Sequence, residues 1–188
     1  EKRKPSMTRV IIAGFEAEYG RHRTYVDAAA TRLTFEQLRC ALDPEVNSIA
    51  VVMKHMAGNL RSRWTEPFTT DGEKPWRDRD REFIDDFAER GELEAFWAAG
   101  WSVLDASLAG FTDADLGRAV MIRREAHTLA SALTRSLAHT AYHAGQIVQT
   151  ARVIASREGV RWETLTVPRG GTAEYNEGKM GPRWNAGR

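Results

Sequence analysis

The chain has 188 residues, of which 42% are hydrophobic, so it can bury one sizeable core but not two independent ones. Its 27 lysines and arginines balance 26 aspartates and glutamates, which excludes a global positive charge that would attract nucleic acid or an anionic membrane. A small-molecule partner is therefore expected. Cys40 is the single cysteine and no apolar run suits secretion or membrane insertion, so the cytoplasm is the expected location.

The first third of the chain predicts a long helix followed by a short one. Apolar and aromatic residues recur at spacings of three and four over residues 7–32, which indicates an amphipathic helix. Thr34, followed three residues later by Gln37, has the pattern of a capping box and predicts a short helix over residues 35–42. We assign no function to the charged leader, residues 1–6, which is native or left by cloning and is expected to be disordered.

A second long helix is predicted over residues 48–63, with Asn47 or Ser48 as its N-cap. Proline, glycine and aspartate then occupy turn positions in residues 66–76, which predicts a long loop. The apolar stripe of this helix consists of Ile49, Val52, Met53, Met56 and Leu60.

A third long helix is expected to begin around Arg81, to be broken or kinked near Gly91, and to end at Gly110. The kink is expected because glycine weakens a helix interior. Residues 112–115 follow as a turn.

The last part of the chain predicts an extended excursion, a fourth long helix and a tail. Residues 118–125 resemble a hairpin strand more than a helix, and Thr128 is positioned to cap a helix over residues 129–157. Residues 159–188 are rich in glycine and proline and are expected to form an irregular C-terminal strap. The predicted fold is therefore all-α: one domain, residues 1–188, built as an up-down four-helix bundle.

Three histidines are candidates for a metal site. His139 and His143 lie four residues apart on the fourth helix, where their side chains diverge by only about 40° and share one face. His55 lies on the second helix, and a bundle can bring all three inward to form a site with open positions. Asn59 and Gln146 share those helix faces and could orient metal-bound water or substrate, with ordinary hydrogen bonding in the bundle as the alternative.

The histidines and several other polar residues also have simpler interpretations. The histidine pair could simply be buried and hydrogen-bonded, and His22 and His127 are expected to be surface or capping residues. Thr140 follows the first histidine of the pair, where a zinc protease of the H-E-x-x-H type needs glutamate, so that class is excluded. Cys40 is expected to be a small core residue. The alternating charges of residues 77–82 predict a solvated face with local ion pairs.

Several segments together resemble the DinB-like superfamily, in a branch without an assigned activity, and the resemblance covers nearly the whole chain from Met7. It implies a four-helix bundle, often a homodimer, that binds a divalent metal such as zinc or nickel through His55, His139 and His143. The segments that carry the resemblance are residues 47–49 leading to His55, 59–63, 69–76, 137–146 and the tail at 167–170.

The resemblance also implies an activity. Understood members of the superfamily are thiol-dependent enzymes that use mycothiol, bacillithiol or a similar low-molecular-weight thiol. The expected function is therefore a metal-dependent thiol S-transferase or isomerase that acts on a small electrophile. Metal-dependent hydrolysis of a small substrate and a non-catalytic, metal-binding stress-response role are the alternatives.

Overall fold

Helices make up most of the structure, a computed structural model that describes residues 7–180. One two-stranded antiparallel sheet, β1 (Ala119–Ile122) with β2 (Glu125–Thr128), precedes the longest helix. The helices are α1 (Val10–Ala30), α2 (Phe35–Arg39), α3 (Ile49–Trp64), α4 (Arg90–Gly110), α5 (Leu129–Arg157) and α6 (Thr172–Met180). Short 3-10 turns cover Met7–Arg9, Arg81–Phe83 and Asp113–Gly117.

The four long helices form a bundle around one hydrophobic core, as predicted. α3 lies along α4 and α1 lies along α5, while contacts of α3 with α5 and of α1 with α4 close the bundle. The long connections before α3 and before α5 allow neighbours in space to differ from neighbours in sequence. The largest fully buried side chains include Ile12, Tyr19, Met56, Leu60, Trp64, Trp101 and Leu104.

Side-chain caps set the start of three helices. Thr34 and Gln37 form the predicted capping box at α2, each side chain bonding to the other's backbone amide. Ser48 accepts a hydrogen bond from the third residue of α3, and Thr128 does the same at α5. α2 ends earlier than expected, and Cys40 follows it as an exposed residue, so the prediction of a buried cysteine was wrong.

The start of the third long helix differs from the prediction. α4 begins at Arg90 rather than near Arg81, and Gly91 lies in its first turn rather than at a kink. The physical reason is a tertiary contact: the Lys54 ammonium on α3 donates hydrogen bonds of 2.9 Å to the carbonyl oxygens of Arg81 and Ile84. These bonds hold the segment against α3 as a 3-10 turn followed by irregular chain, and α4 begins only after it.

The predicted extended excursion is a hairpin, and the loop after α3 holds its turn. Arg123 and Arg124 have left-handed backbone, with φ of 54° and 66°, which is unfavourable for residues with a β-carbon. Their amides donate to the Asp71 carboxylate at 2.8 and 2.7 Å, and Gly72 N donates to Met121 O at 2.7 Å. These bonds stabilise the turn and fix the hairpin beside α3.

The C-terminal strap is irregular only in its first part. Arg32, just after α1, donates to the Glu163 carbonyl at 2.6 Å, and its guanidinium lies 4.7 Å from the centre of the Trp162 ring. The strap then forms α6, a helix that the glycine content did not predict. Residues 1–6 and 181–188 of the predicted leader and strap lie outside the described residues.

Between residues 7 and 180, no helix combines the length and apolarity that crossing a bilayer requires.

Candidate metal centre

Three histidines from two helices converge on one point. His55 projects from α3, and His139 and His143 project from α5. The Nε2 atom of His139 lies 3.2 Å from Nε2 of His55 and 3.1 Å from Nε2 of His143. One ligand atom from each residue lies within 4.8 Å of the other two, so the histidines are close enough to bind a metal ion.

The remaining ring nitrogens decide which atoms are free for a metal. His55 Nδ1 lies 2.9 Å from the Glu82 carboxylate, and His143 Nδ1 lies 2.7 Å from the amide oxygen of Gln146. Both acceptors require a proton on Nδ1, so the Nε2 lone pairs of these rings point at the cluster. Zinc–nitrogen bonds of about 2.0–2.1 Å in a tetrahedral site separate ligand atoms by roughly 3.3 Å. The observed spacing and donor set therefore fit a divalent cation.

Burial lowers the pKa of two histidines of the cluster, His139 and His143, and so favours their neutral forms. It is the largest cause that lowers the pKa of His139, to about 3, and the neighbouring His143, His55, Arg63 and Arg77 lower it further. Burial also lowers the pKa of His143, although the hydrogen bond that its Nδ1–H donates to the Gln146 amide oxygen opposes that shift. Neutral imidazoles are the form that binds metals.

Glu82 and Arg77 support His55, and the sequence analysis missed them. The Arg77 guanidinium donates two hydrogen bonds of 2.8 Å to the Glu82 carboxylate, whose other neighbour is His55. Burial alone would raise the pKa of Glu82, but the hydrogen bonds and charges of Arg77 and His55 lower it overall. The side chains of Arg77 and Glu82 are only 3% and 6% exposed, so the predicted solvated face was wrong for both ends of residues 77–82.

A glycine in α3 makes room for this carboxylate. A β-carbon at Gly58 would lie 2.7 Å from Cδ of Glu82, closer than real β-carbons approach other atoms. Gly58 lies inside a helix, where glycine is unfavourable, three residues after His55. An isolated helical glycine beside a candidate ligand was therefore the available signal that another group approaches there.

The two other predicted site residues have different surroundings. Gln146 bonds to His143, as described, and its amide nitrogen donates to the Tyr142 hydroxyl at 3.2 Å. Asn59 is half-buried and lines a cavity beside His55 and His139. The role of either residue toward water or substrate stays a prediction.

Two cavities meet at the histidine cluster. One, of about 180 Å³, is bordered by His55 and His139 and is rich in arginine. The other, of about 460 Å³, is bordered by His55 and His143. The cluster is thus accessible from two sides with different chemistry. Apolar residues of the larger cavity are Val46, Ile49, Val52, Phe83 and Ile147.

Neither of the remaining histidines joins the cluster. His22 lies on α1 with its ring edge-on to Tyr25, and His127 lies on β2 with its Nε2 atom 3.8 Å from Glu125. Within residues 7–180, the three converging histidines are the only group of three or more histidine, cysteine, aspartate or glutamate side chains close enough to share a metal ion.

The fold and the site define a class of protein: a helical bundle with a three-histidine cluster between two of its helices. The chain belongs to the family described as "Protein of unknown function (DUF1572)", whose match spans residues 7–171. It is similar to the crystal structure of a conserved protein from Enterococcus faecalis, with a TM-score of 0.60 and 18% identity over 80% of this chain and 99% of that chain. At that identity the similarity concerns the fold. No match is found among curated proteins.

Replacing Glu82 by glutamine tests its support of the cluster. The amide keeps the shape of the carboxylate but removes the charge that faces Arg77 and His55. We expect the affinity for Zn²⁺ to fall about ten- to hundredfold, the usual effect of losing such a supporting group. Competition with a chromophoric chelator measures it. Glu94→Gln, at an exposed ion pair on α4, is the matched control, and equal affinities of the two variants would contradict the assignment.

Proposed function

We propose that this chain is a divalent-metal-dependent enzyme of the DinB-like superfamily, of the thiol S-transferase or isomerase type, acting on a small electrophile. The observation that carries the proposal is the convergence of three imidazoles where two cavities meet. The resemblance described above supplies the thiol and implies a homodimer. The DUF1572 family itself is described without a function.

In this proposal His55, His139 and His143 hold zinc or nickel, both of which imidazole ligands suit. A dication held by these residues would lower the pKa of a thiol bound to it, which is the chemistry that thiol activation requires. The chain's own residues supply positioning. Glu82 and Arg77 fix the orientation of the His55 ring.

The two cavities favour a reaction between two small molecules. The cavity of about 460 Å³ combines apolar residues with polar ones and suits a small electrophile that has an apolar part, and the separate cavity of about 180 Å³ leaves room for part of a second reactant. Hydrolysis has less support, because Glu82 faces Nδ1 of His55 rather than the Nε2 side and is held by Arg77.

The test is turnover of model electrophiles with a panel of low-molecular-weight thiols, by purified chain with and without added Zn²⁺ or Ni²⁺. We expect turnover of the electrophile that requires both the thiol and the metal and is lost in His143→Ala. Net consumption of the thiol then indicates S-transfer, and its regeneration indicates isomerisation. Turnover that needs metal but no thiol would instead identify a hydrolase. A protein that retains metal without turning over any electrophile would favour the binding role.

A further inference from the structure

The smaller cavity at the histidine cluster is lined by an unusual concentration of positive charge. The chain as a whole has a formal net charge of only +1, so this concentration is local. Neutral polar groups, Asn59 and Ser136, line the same cavity beside His55 and His139. The arginines of the lining are Arg63, Arg77, Arg79, Arg123 and Arg135.

Carboxylates of the protein neutralise only some of these arginines. Arg77 is paired with Glu82, and Arg123 lies 3.2 Å from a carboxylate oxygen of Glu73. Among residues 7–180, neither Arg63 nor Arg135 forms a hydrogen bond or ion pair with a carboxylate. The cavity therefore has a surplus of guanidinium groups without matching negative charge.

Arg63 is the most constrained of these groups. Its Nε atom is buried and has no hydrogen-bond partner, which is costly for a charged donor. Its side chain passes close to Gly72, where a β-carbon would lie 3.0 Å from Cδ of Arg63. Burial, with the nearby charges of Arg77 and Arg135, lowers the pKa of Arg63. Arg63 also lines the cavity, so an anion there would offset the cost of this buried charge.

We propose that this cavity binds the anionic group, a carboxylate or a phosphate, of a substrate or thiol cosubstrate, with Arg63 and Arg135 as its main binding residues. This inference rests on the proposed function for the identity of the molecule, but not for the anion site itself. Guanidinium groups bind both kinds of oxyanion through paired hydrogen bonds. A volume of about 180 Å³ admits such a group and excludes a macromolecule.

The hairpin places a further arginine at this cavity. The Asp71 carboxylate accepts from the backbone amides of Arg123 and Arg124, and so holds the turn that presents Arg123 to the lining. Arg123 retains an ion pair with Glu73, so we assign it a positioning role at the cavity rather than the main contact. The anion would then lie beside His55 and His139, with the rest of its molecule directed toward the metal ligands.

The test is isothermal titration calorimetry on the full chain, with and without bound metal, using succinate and inorganic phosphate as separate probes. We expect at least one probe to bind, and the preferred probe distinguishes a carboxylate from a phosphate. Arg63→Gln and Arg135→Gln should each weaken binding about ten- to hundredfold, the effect of losing a charge-assisted hydrogen bond. Arg152→Gln, at an exposed arginine on α5, should leave binding unchanged.

The outcomes separate this inference from the proposed function. If neither anion binds, or if all three variants bind as the unaltered chain does, the anion site is refuted even when thiol turnover is present. If anions bind in an arginine-dependent manner without thiol turnover, the site stands and the proposed function fails. Because Arg135 is exposed, Arg135→Gln keeps the test valid if Arg63→Gln does not fold.

Discussion

Replacing His143 by alanine is expected to lower the affinity for Zn²⁺ more than hundredfold. The substitution removes one of three converging Nε2 atoms, a larger change than the ten- to hundredfold effect of losing a supporting group. Helix α5 should remain folded because alanine has the higher helix propensity. Elemental analysis of the purified variant and chelator competition measure the metal, and circular dichroism measures the helix content.

The matched control is His22→Ala on α1, because that histidine lies outside the cluster. Its metal content should equal that of the unaltered chain. Undiminished metal in His143→Ala would refute the assignment of His143 as a ligand. An equal loss of bound metal in both variants would indicate that metal binding depends on the overall fold and not on the three converging histidines.

Replacing Gly100 by alanine is expected to destabilise the bundle by about 1–3 kcal/mol, the usual cost of inserting atoms into a tightly packed interior. Gly100 on α4 faces α3 so closely that a β-carbon would lie 2.6 Å from the carbonyl oxygen of Ala57 and 2.7 Å from its Cα. Backbone cannot move aside as a flexible side chain can. The midpoint of thermal unfolding should fall by roughly 2–4 °C for each kcal/mol.

Gly14→Ala is the control for this prediction. A β-carbon at Gly14 on α1 meets no other atom within 4 Å, so the same substitution should stabilise the chain by about 0.5–1 kcal/mol through helix propensity. The two variants should therefore shift the unfolding midpoint in opposite directions. A rise in both would show that α3 and α4 separate easily at Gly100.

Local signals in the sequence account for much of the agreement with the structure. Thr34, Ser48 and Thr128 cap helices because a short polar side chain satisfies a free amide of the first turn, and this needs no distant partner. Apolar residues spaced three and four apart predict the long helices, and this pattern is also local. The approach of His55 to the pair on α5 required only that both helices turn these faces inward.

The predictions from sequence fail where contacts with a distant residue override the structure that the local sequence favours. The third long helix was expected to start near Arg81, but Lys54 binds two carbonyl oxygens there and the helix begins at Arg90. The same tertiary contact brings Glu82 toward His55. Alternating charges are typical of a solvated face. Nothing in the neighbouring sequence shows that Glu82, unlike an ordinary surface carboxylate, is buried against Gly58 of α3.

By itself the sequence determined the helical periods, the caps and the spacing of His139 and His143, because each depends on residues within a turn or two of one another. Only the tertiary structure decided that Glu82 supports His55 and that Arg63 faces a cavity without a carboxylate partner. These depend on loops that cross between helices, and their paths are set by long-range hydrogen bonds and by the space that Gly58 leaves.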